Sequence, residues 1–371
     1  MSVQHFVPQH YFRLYSGSER LIDLLLLKTG EIKLNCKIRQ QCSKRDFYGS
    51  DDIERVFSHF EATFSQATRS ALEFALDPTE GISDEWWIPF CQSITFQRGR
   101  TESASERTAT TWEQMALWDY EHSFLPSLDA TFSEQAREAL KKGAISFVQS
   151  RKETASFGAI LGLEMAFAIS DLLPCFLINK TASPFVFSDS PIVLYNTSFS
   201  HVRNRGVLGW QSQGLQVFYP LTPSVCLMLY DADAYFGDAT ETNRLEVCID
   251  HDVFQLNMLQ LHAARNAVYF SGSENSEYVA SLWEKSSERT LPPGSFVDTE
   301  SKWLVDGKLI DGPQLLIKDA QLAHQLELSF ICSTPVLERD FVPRNRNRWV
   351  ADVVNANTEW LCNFPTDGEE E

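Results

Sequence analysis

The clearest pattern along the chain is an apolar stripe of helical period. Ile53, Val56, Phe57, Phe60, Phe64, Ala67 and Leu72 recur mostly at spacings of three and four, behind an N-cap cluster, Ser50-Asp51-Asp52. One long amphipathic helix is predicted there. Further helices are predicted over 83–97, 105–124, 133–149 and 155–172. Ser83 and Ser133 each stand before acidic residues that suit the positive end of a helix dipole. Ahead of this half, apolar runs at 21–28 and 31–36 flank Thr29-Gly30, the pattern of a β-hairpin.

After residue 173 the period shortens. Apolar runs at 175–178, 185–187, 192–195, 215–219 and 225–230 are bounded by Pro, Asp, Asn or Gly and predict strands. A helix over 252–266 and a strand over 267–271 follow, then strand-like pieces over 295–332 and an extended appendage past Pro335. The fold class is α+β: a mainly helical N-terminal half packed on a largely antiparallel sheet, with the N-terminal hairpin joining that sheet. One domain is expected over 1–291, a C-terminal extension with short strands over 292–366, and an acidic tail over 367–371.

Composition narrows the function classes. The chain has 371 residues, 43% hydrophobic and 12% aromatic, enough for a large core. Its net charge of −18 repels phosphate backbones, so broad nucleic-acid binding is disfavoured, while a local basic pocket stays possible. The eight cysteines show no Cys-x-x-Cys spacing and several lie in apolar runs, which implies reduced, structural thiols in a cytoplasmic protein. No signal peptide and no membrane span are expected. The eight histidines lack ligand spacing with carboxylates, so neither a metal nor a cofactor is expected.

Candidate chemistry lies in a few places, each with a bland alternative. In His5-Phe6-Val7-Pro8-Gln9-His10-Tyr11, Pro8 suits a helix start, and His5, Gln9 and Arg13 share a polar side. His5 can move protons near neutral pH, or simply anchor the chain end on a carbonyl. Ser188 and Asp189, in Ser188-Asp189-Ser190-Pro191, sit at a strand end as reactive groups, or else form an Asx-turn. Gln97, Arg98 and Arg100 close a helix. The two arginines can hold a phosphate or carboxylate, or satisfy the helix carbonyls. Glu61 flanks the apolar stripe, which calls for a partner such as Arg100 or His5, or for a raised pKa. Asn257 and Gln260, three apart on the late helix, face a cleft or cap a strand. Arg344, Arg346 and Arg348 read as a surface strap.

The opening His5-Phe6-Val7-Pro8-Gln9-His10-Tyr11-Phe12-Arg13-Leu14-Tyr15-Ser16 resembles the start of a family known as domain of unknown function 4238. That family opens His-Tyr-Val-Pro-Gln-x-Tyr-Leu-x-x-Phe-Ser. Later blocks are similar too: Asp46-Phe47-Tyr48, Glu61, residues 97–101, the Ser-Asp-x-Pro core of 185–193, Pro220-Leu221-Thr222-Pro223, 256–260 and 268–271. The resemblance covers about residues 4 to 271 and implies candidate residues without a reaction. It favours His5, Gln9, Glu61, Arg100 and Asp189 as more than scaffold.

Two functions compete. One is a hydrolase of nuclease or phosphodiesterase type, metal-independent, in which His5 with Glu61 or Asp189 handles protons and Arg100 holds an anionic group of a small or narrowly held ligand. The other is a non-catalytic ligand-binding or regulatory module in which the same polar residues are structural. Convergence of His5, Glu61, Arg100 and Asp189 on one place separates them.

Overall fold

Ser50 starts the long helix as its sequence requires: its backbone is extended, and its side chain accepts the Asp52 N–H at 3.1 Å. The computed structural model describes residues 3–16, 20–77, 81–202, 206–286, 295–305, 308–319, 322, 324–334 and 344, with the backbone alone for 295–305 and 308–319. The acidic tail, Arg346 and Arg348 lie outside the described residues.

In chain order the first half runs β1 (Val3–His5), α1 (Gln9–Tyr15), β2 (Leu21–Leu26), β3 (Glu31–Lys37), β4 (Ser43–Arg45), α2 (Asp51–Leu76), α3 (Asp84–Gly99), α4 (Glu102–Asp119), α5 (Leu125–Ser127), α6 (Ala130–Lys141) and α7 (Arg151–Glu164). The second half runs β5 (Leu173–Asn179), β6 (Phe187–Ser188), β7 (Val193–Tyr195), β8 (Gln216–Thr222), β9 (Val225–Tyr230), β10 (Tyr235–Phe236), β11 (Arg244–Val247), α8 (Asp250–Ala263), β12 (Ala267–Phe270), α9 (Ser276–Lys285), β13 (Ser295–Val305), β14 (Lys308–Asp319) and β15 (Cys332–Ser333). The fold is α+β, helical first and sheet-rich afterwards. Among the described residues no helix is long and apolar enough to cross a membrane.

The strands form two main sheets. One has the order β11-β5-β9-β8-β7, antiparallel except for the parallel β11–β5 pair. Strands β5, β9, β8 and β7 are largely apolar because both faces are covered, whereas the edge strand β11 carries Arg244 and Glu246. Phe176, Ile178, Leu227 and Leu229 face the core shared with α2, α3 and α7. Cys175, Leu177, Cys226 and Met228 face a second core with Val253, Leu256 and Leu259 of α8. Leu326, Phe330 and Ile331 pack into that second core as well.

The N-terminal hairpin enters a separate antiparallel sheet of order β3-β2-β12-β6. The chain therefore closes on itself, since β2 pairs along β12 with Leu25 opposite Val268. Gly30 turns this hairpin at φ 71, and a Cβ there would lie 2.7 Å from the Trp283 ring. Trp283, on α9, also donates to the Leu27 carbonyl at 3.1 Å.

Two helices end earlier than their patterns suggest. The helix expected over 133–149 stops at Lys141, and Gly143 at φ 69 redirects the chain. Apolar residues beyond it prolonged the pattern without prolonging the helix: Val148 lies in solvent. The helix expected to reach 172 ends at Glu164 and continues as a 3-10 turn, Met165–Ala168. α7 packs against α3 so closely that a Cβ on Gly162 would come within 2.5 Å of the Thr95 carbonyl oxygen.

Candidate functional site

The short β1 strand holds its place through side chains from elsewhere. It pairs antiparallel with β4, with His5 opposite Ser43, but three residues make a weak ribbon. Gln4 is buried; its Oε1 accepts the Tyr48 N–H at 2.7 Å, and its Nε2 donates to the Ser50 carbonyl at 3.1 Å. Gln97, on α3, donates to the Phe6 carbonyl at 2.9 Å. Tyr48 donates to the His5 carbonyl at 3.1 Å.

Arg100 completes this arrangement. Its side chain is 1% exposed. Nε donates to the Tyr48 hydroxyl at 2.9 Å, Nη1 to Glu61 Oε1 at 2.5 Å, and Nη2 to the His5 carbonyl. The Phe96 ring lies 5.0 Å beneath the guanidinium. Burial works against the cation, but Tyr48 and Glu61 outweigh it and raise the Arg100 pKa. The guanidinium thus faces inward, onto protein acceptors. Glu61 is the outward end of the pair, with its side chain 27% exposed.

Two imidazoles stand in the field of this pair. Burial lowers the His5 pKa, and the nearby Arg100 adds to the effect, against the Arg39 carbonyl and Glu61. His5 Nε2 lies 3.2 Å from that carbonyl. A carbonyl only accepts, so Nε2 carries the hydrogen and Nδ1 the lone pair. His10, half-buried on α1, is lowered to about 4, by burial first and then by Arg100, Arg69 and Arg13 against the pull of Glu61. Its ring has no hydrogen-bond partner among the described residues. Glu54 joins from the same side of α2: burial raises its pKa, opposed by Arg100 and helped by Glu61 and Asp51. Its Oε2 is buried without a hydrogen-bond partner among the described residues.

The structure therefore gathers His5, Glu61, Arg100 and Gln97 and adds His10, Glu54 and Tyr48. Gln9 is on the adjoining helix, where its Oε1 accepts from Arg13 at 3.4 Å. Arg98 is half-buried at the end of α3.

The remaining expected residues form a second group. Asp189 is buried; Oδ1 accepts the Arg265 N–H at 2.8 Å and Oδ2 the Asn266 N–H at 2.7 Å. Burial raises its pKa against those bonds. Ser188 donates from Oγ to Gln260 Oε1 at 2.9 Å, and its own N–H reaches the same oxygen at 3.1 Å. Gln260 Nε2 donates to the Pro191 carbonyl at 3.0 Å. Asn257 accepts the Val186 N–H at 2.9 Å and donates to the Pro184 carbonyl at 2.8 Å. Two amide side chains of α8 thus read the backbone of 184–191 as a neighbouring strand would. Neither oxygen of Asp189 meets a side chain of the His5 group, so the four residues expected to converge do not all do so, and this outcome counts for the non-catalytic reading.

His10, Glu54 and Tyr48 had no individual place among the expected catalytic or binding residues. Glu54 and Glu61 are seven apart on one helix, a spacing that puts both carboxylates on one face, and this was a usable signal. His10 carried none, since its lack of a partner is a property of the folded chain.

A family model described as a protein of unknown function (DUF4238) matches residues 3–274. No curated protein and no solved structure matches the chain.

Proposed function

The chain belongs to the family of proteins of unknown function DUF4238, and on that premise we propose that it is a hydrolase of phosphodiesterase type acting on a small or narrowly held anionic substrate. The observation that carries this reading is His10: a half-buried, neutral imidazole without a hydrogen-bond partner among the described residues, in the field of Glu61 and of arginines 13, 69 and 100. A neutral imidazole accepts the proton of an attacking water. The imidazolium so formed is stabilised by Glu61 and returns the proton to the leaving oxygen. His5 is the second proton-transfer group, with its Nδ1 lone pair free of the Arg39 contact.

The anion is received by different residues from those the sequence suggested. Arg100 is committed to Glu61, Tyr48 and the His5 carbonyl, so it acts as a positioning residue that fixes the carboxylate. Arg13 and Arg69 are exposed and supply positive charge next to His10. Gln9 and Arg98 belong to the binding surface in this reading. Ser188, Asp189, Asn257 and Gln260 hold the sheet to α8. The described cysteines are free thiols, in keeping with a cytoplasmic location.

A second reading takes the same surface as a site that binds without turnover. It is favoured by the number of polar residues here whose bonds go to backbone: Gln4, Gln97 and Arg100. One experiment separates the two. The full chain is assayed with bis-p-nitrophenyl phosphate, and phosphate binding is followed by calorimetry in two buffers of different ionisation enthalpy. The hydrolase reading expects phosphate to bind without proton uptake, since His10 acts as a base only while neutral, and turnover that His10→Asn abolishes. Binding with no turnover leaves the binding-only reading, proton uptake on binding overturns a neutral His10 base, and neither binding nor turnover removes both.

A further inference from the structure

Arg344 lies beyond residue 274, where the family match ends, yet its hydrogen-bond partners among the described residues all lie within that match. Its Nε and Nη2 donate to the two oxygens of Asp171 at 3.0 and 3.2 Å, a bidentate fork. Nη2 also meets the carbonyl oxygens of Ala168 and Trp210 at 2.7 and 2.8 Å, and Nη1 meets that of Ser212 at 2.8 Å. The side chain is 6% exposed. Its own backbone N–H donates to the Gln211 carbonyl at 2.8 Å, so the residue is held by its main chain too.

Local structure explains the cradle. Ala168 ends the 3-10 turn after α7, where carbonyls lack helical partners and attract cations. A turn closed by the Ser212 N–H on the Gly209 carbonyl, 2.8 Å, presents the Trp210 and Ser212 carbonyls alongside. Asp171 supplies the charge. The acceptors surround a planar, multi-donor cation, which a guanidinium matches and a single ammonium nitrogen does not.

We infer that residues 168–171 and 209–212 form a receptor for one arginine side chain carried on a peptide, which this chain fills with its own Arg344. The ligand class is an arginine-bearing peptide: the carboxylate and carbonyls select the guanidinium, and Gln211 takes one main-chain N–H. The site is separate from the Glu61–His10 group and its test does not depend on any catalytic activity.

The test uses the full chain with Arg344→Ala, titrated calorimetrically with N-acetyl-arginine methylamide and with its lysine and citrulline counterparts. Saturable one-to-one binding of the arginine compound is expected, at least tenfold tighter than to the unaltered chain. The lysine and citrulline compounds are expected to bind at least tenfold more weakly. Adding Asp171→Asn should remove the binding. Equal affinity for the lysine compound, or equal affinity of the variant and the unaltered chain, overturns the proposal. Arg344→Lys gives a second measurement that needs no emptied site. It keeps charge and stem, and its melting temperature is expected to fall below that of the unaltered chain; an unchanged value means that a guanidinium is not what the cradle recognises.

Discussion

Arg100 donates to the main-chain carbonyl of His5, 95 residues earlier in the chain. That bond makes the end of α3 the anchor of the N-terminal strand, and the same guanidinium holds Glu61 from behind. A lysine at this position can reach one of these acceptors but cannot span Tyr48, Glu61 and the His5 carbonyl together. Arg100→Lys is therefore expected to cost about 3 kcal/mol, near the loss seen when a buried ion pair is broken. Urea unfolding reads it as a lower midpoint at unchanged slope. A variant as stable as the unaltered chain would show that Arg100 does not anchor the strand.

Acid is expected to weaken the fold through the histidines. The His10 pKa is lowered from 6.5 to about 4, so between these values the unfolded chain binds a proton that the folded chain does not. Stability then rises with pH through that window and is lost as the solution is acidified; below about 4 the dependence fades. His5 shifts in the same direction, and burial, followed by His262, lowers His324 to about 4. His10→Asn removes one of these protons. The slope of stability between pH 5 and 6 should fall by up to about 1.4 kcal/mol per pH unit, with little change at pH 7. Urea unfolding at several pH values measures it, and an identical slope would mean that folding leaves the His10 proton affinity unaltered.

The α3–α7 contact sets a different kind of limit. Gly162 lets the Thr95 carbonyl approach, and a methyl group there would sit 2.5 Å from its oxygen. Because that obstacle is backbone, the helices must separate to admit it. Gly162→Ala is expected to destabilise by about 1–3 kcal/mol despite the better helix propensity of alanine. Thermal unfolding decides: a gain in melting temperature would mean that the helices move apart at no net cost.

The legible parts of the fold were those whose cause is local. Ser50 and the stripe from Ile53 to Leu72 specify a capped, one-sided helix whatever surrounds it. The runs that became β5 and β9 were readable because a sheet covered on both faces needs apolar residues at successive positions. Gly143 ended α6 against an apolar pattern that still ran on, since periodicity registers faces better than stops. The site was legible as a set of polar residues and illegible as an arrangement. Arg100 sits at a helix end, where a cation belongs on local grounds, and only β1 and α2 arriving from far away in sequence turn it inward. Asn257 and Gln260 stood out as polar residues among apolar neighbours on their helix, but their use as a strand's hydrogen-bonding edge depends on where 184–191 passes.

Asp189→Asn tests whether the two polar groups have separate tasks. Both Asp189 oxygens accept backbone N–H groups at the turn between α8 and β12. Asparagine keeps one acceptor and turns an NH2 toward the other N–H, leaving a buried donor unpaired. The expected cost is about 1–3 kcal/mol. Phosphate affinity at the His10 surface should stay unchanged, because Asp189 reaches backbone at the end of α8 and not His5, His10 or Glu61. Unfolding and calorimetry on the same variant give both numbers. Lost affinity or turnover at unchanged stability would move Asp189 from the scaffold into the site beside His10.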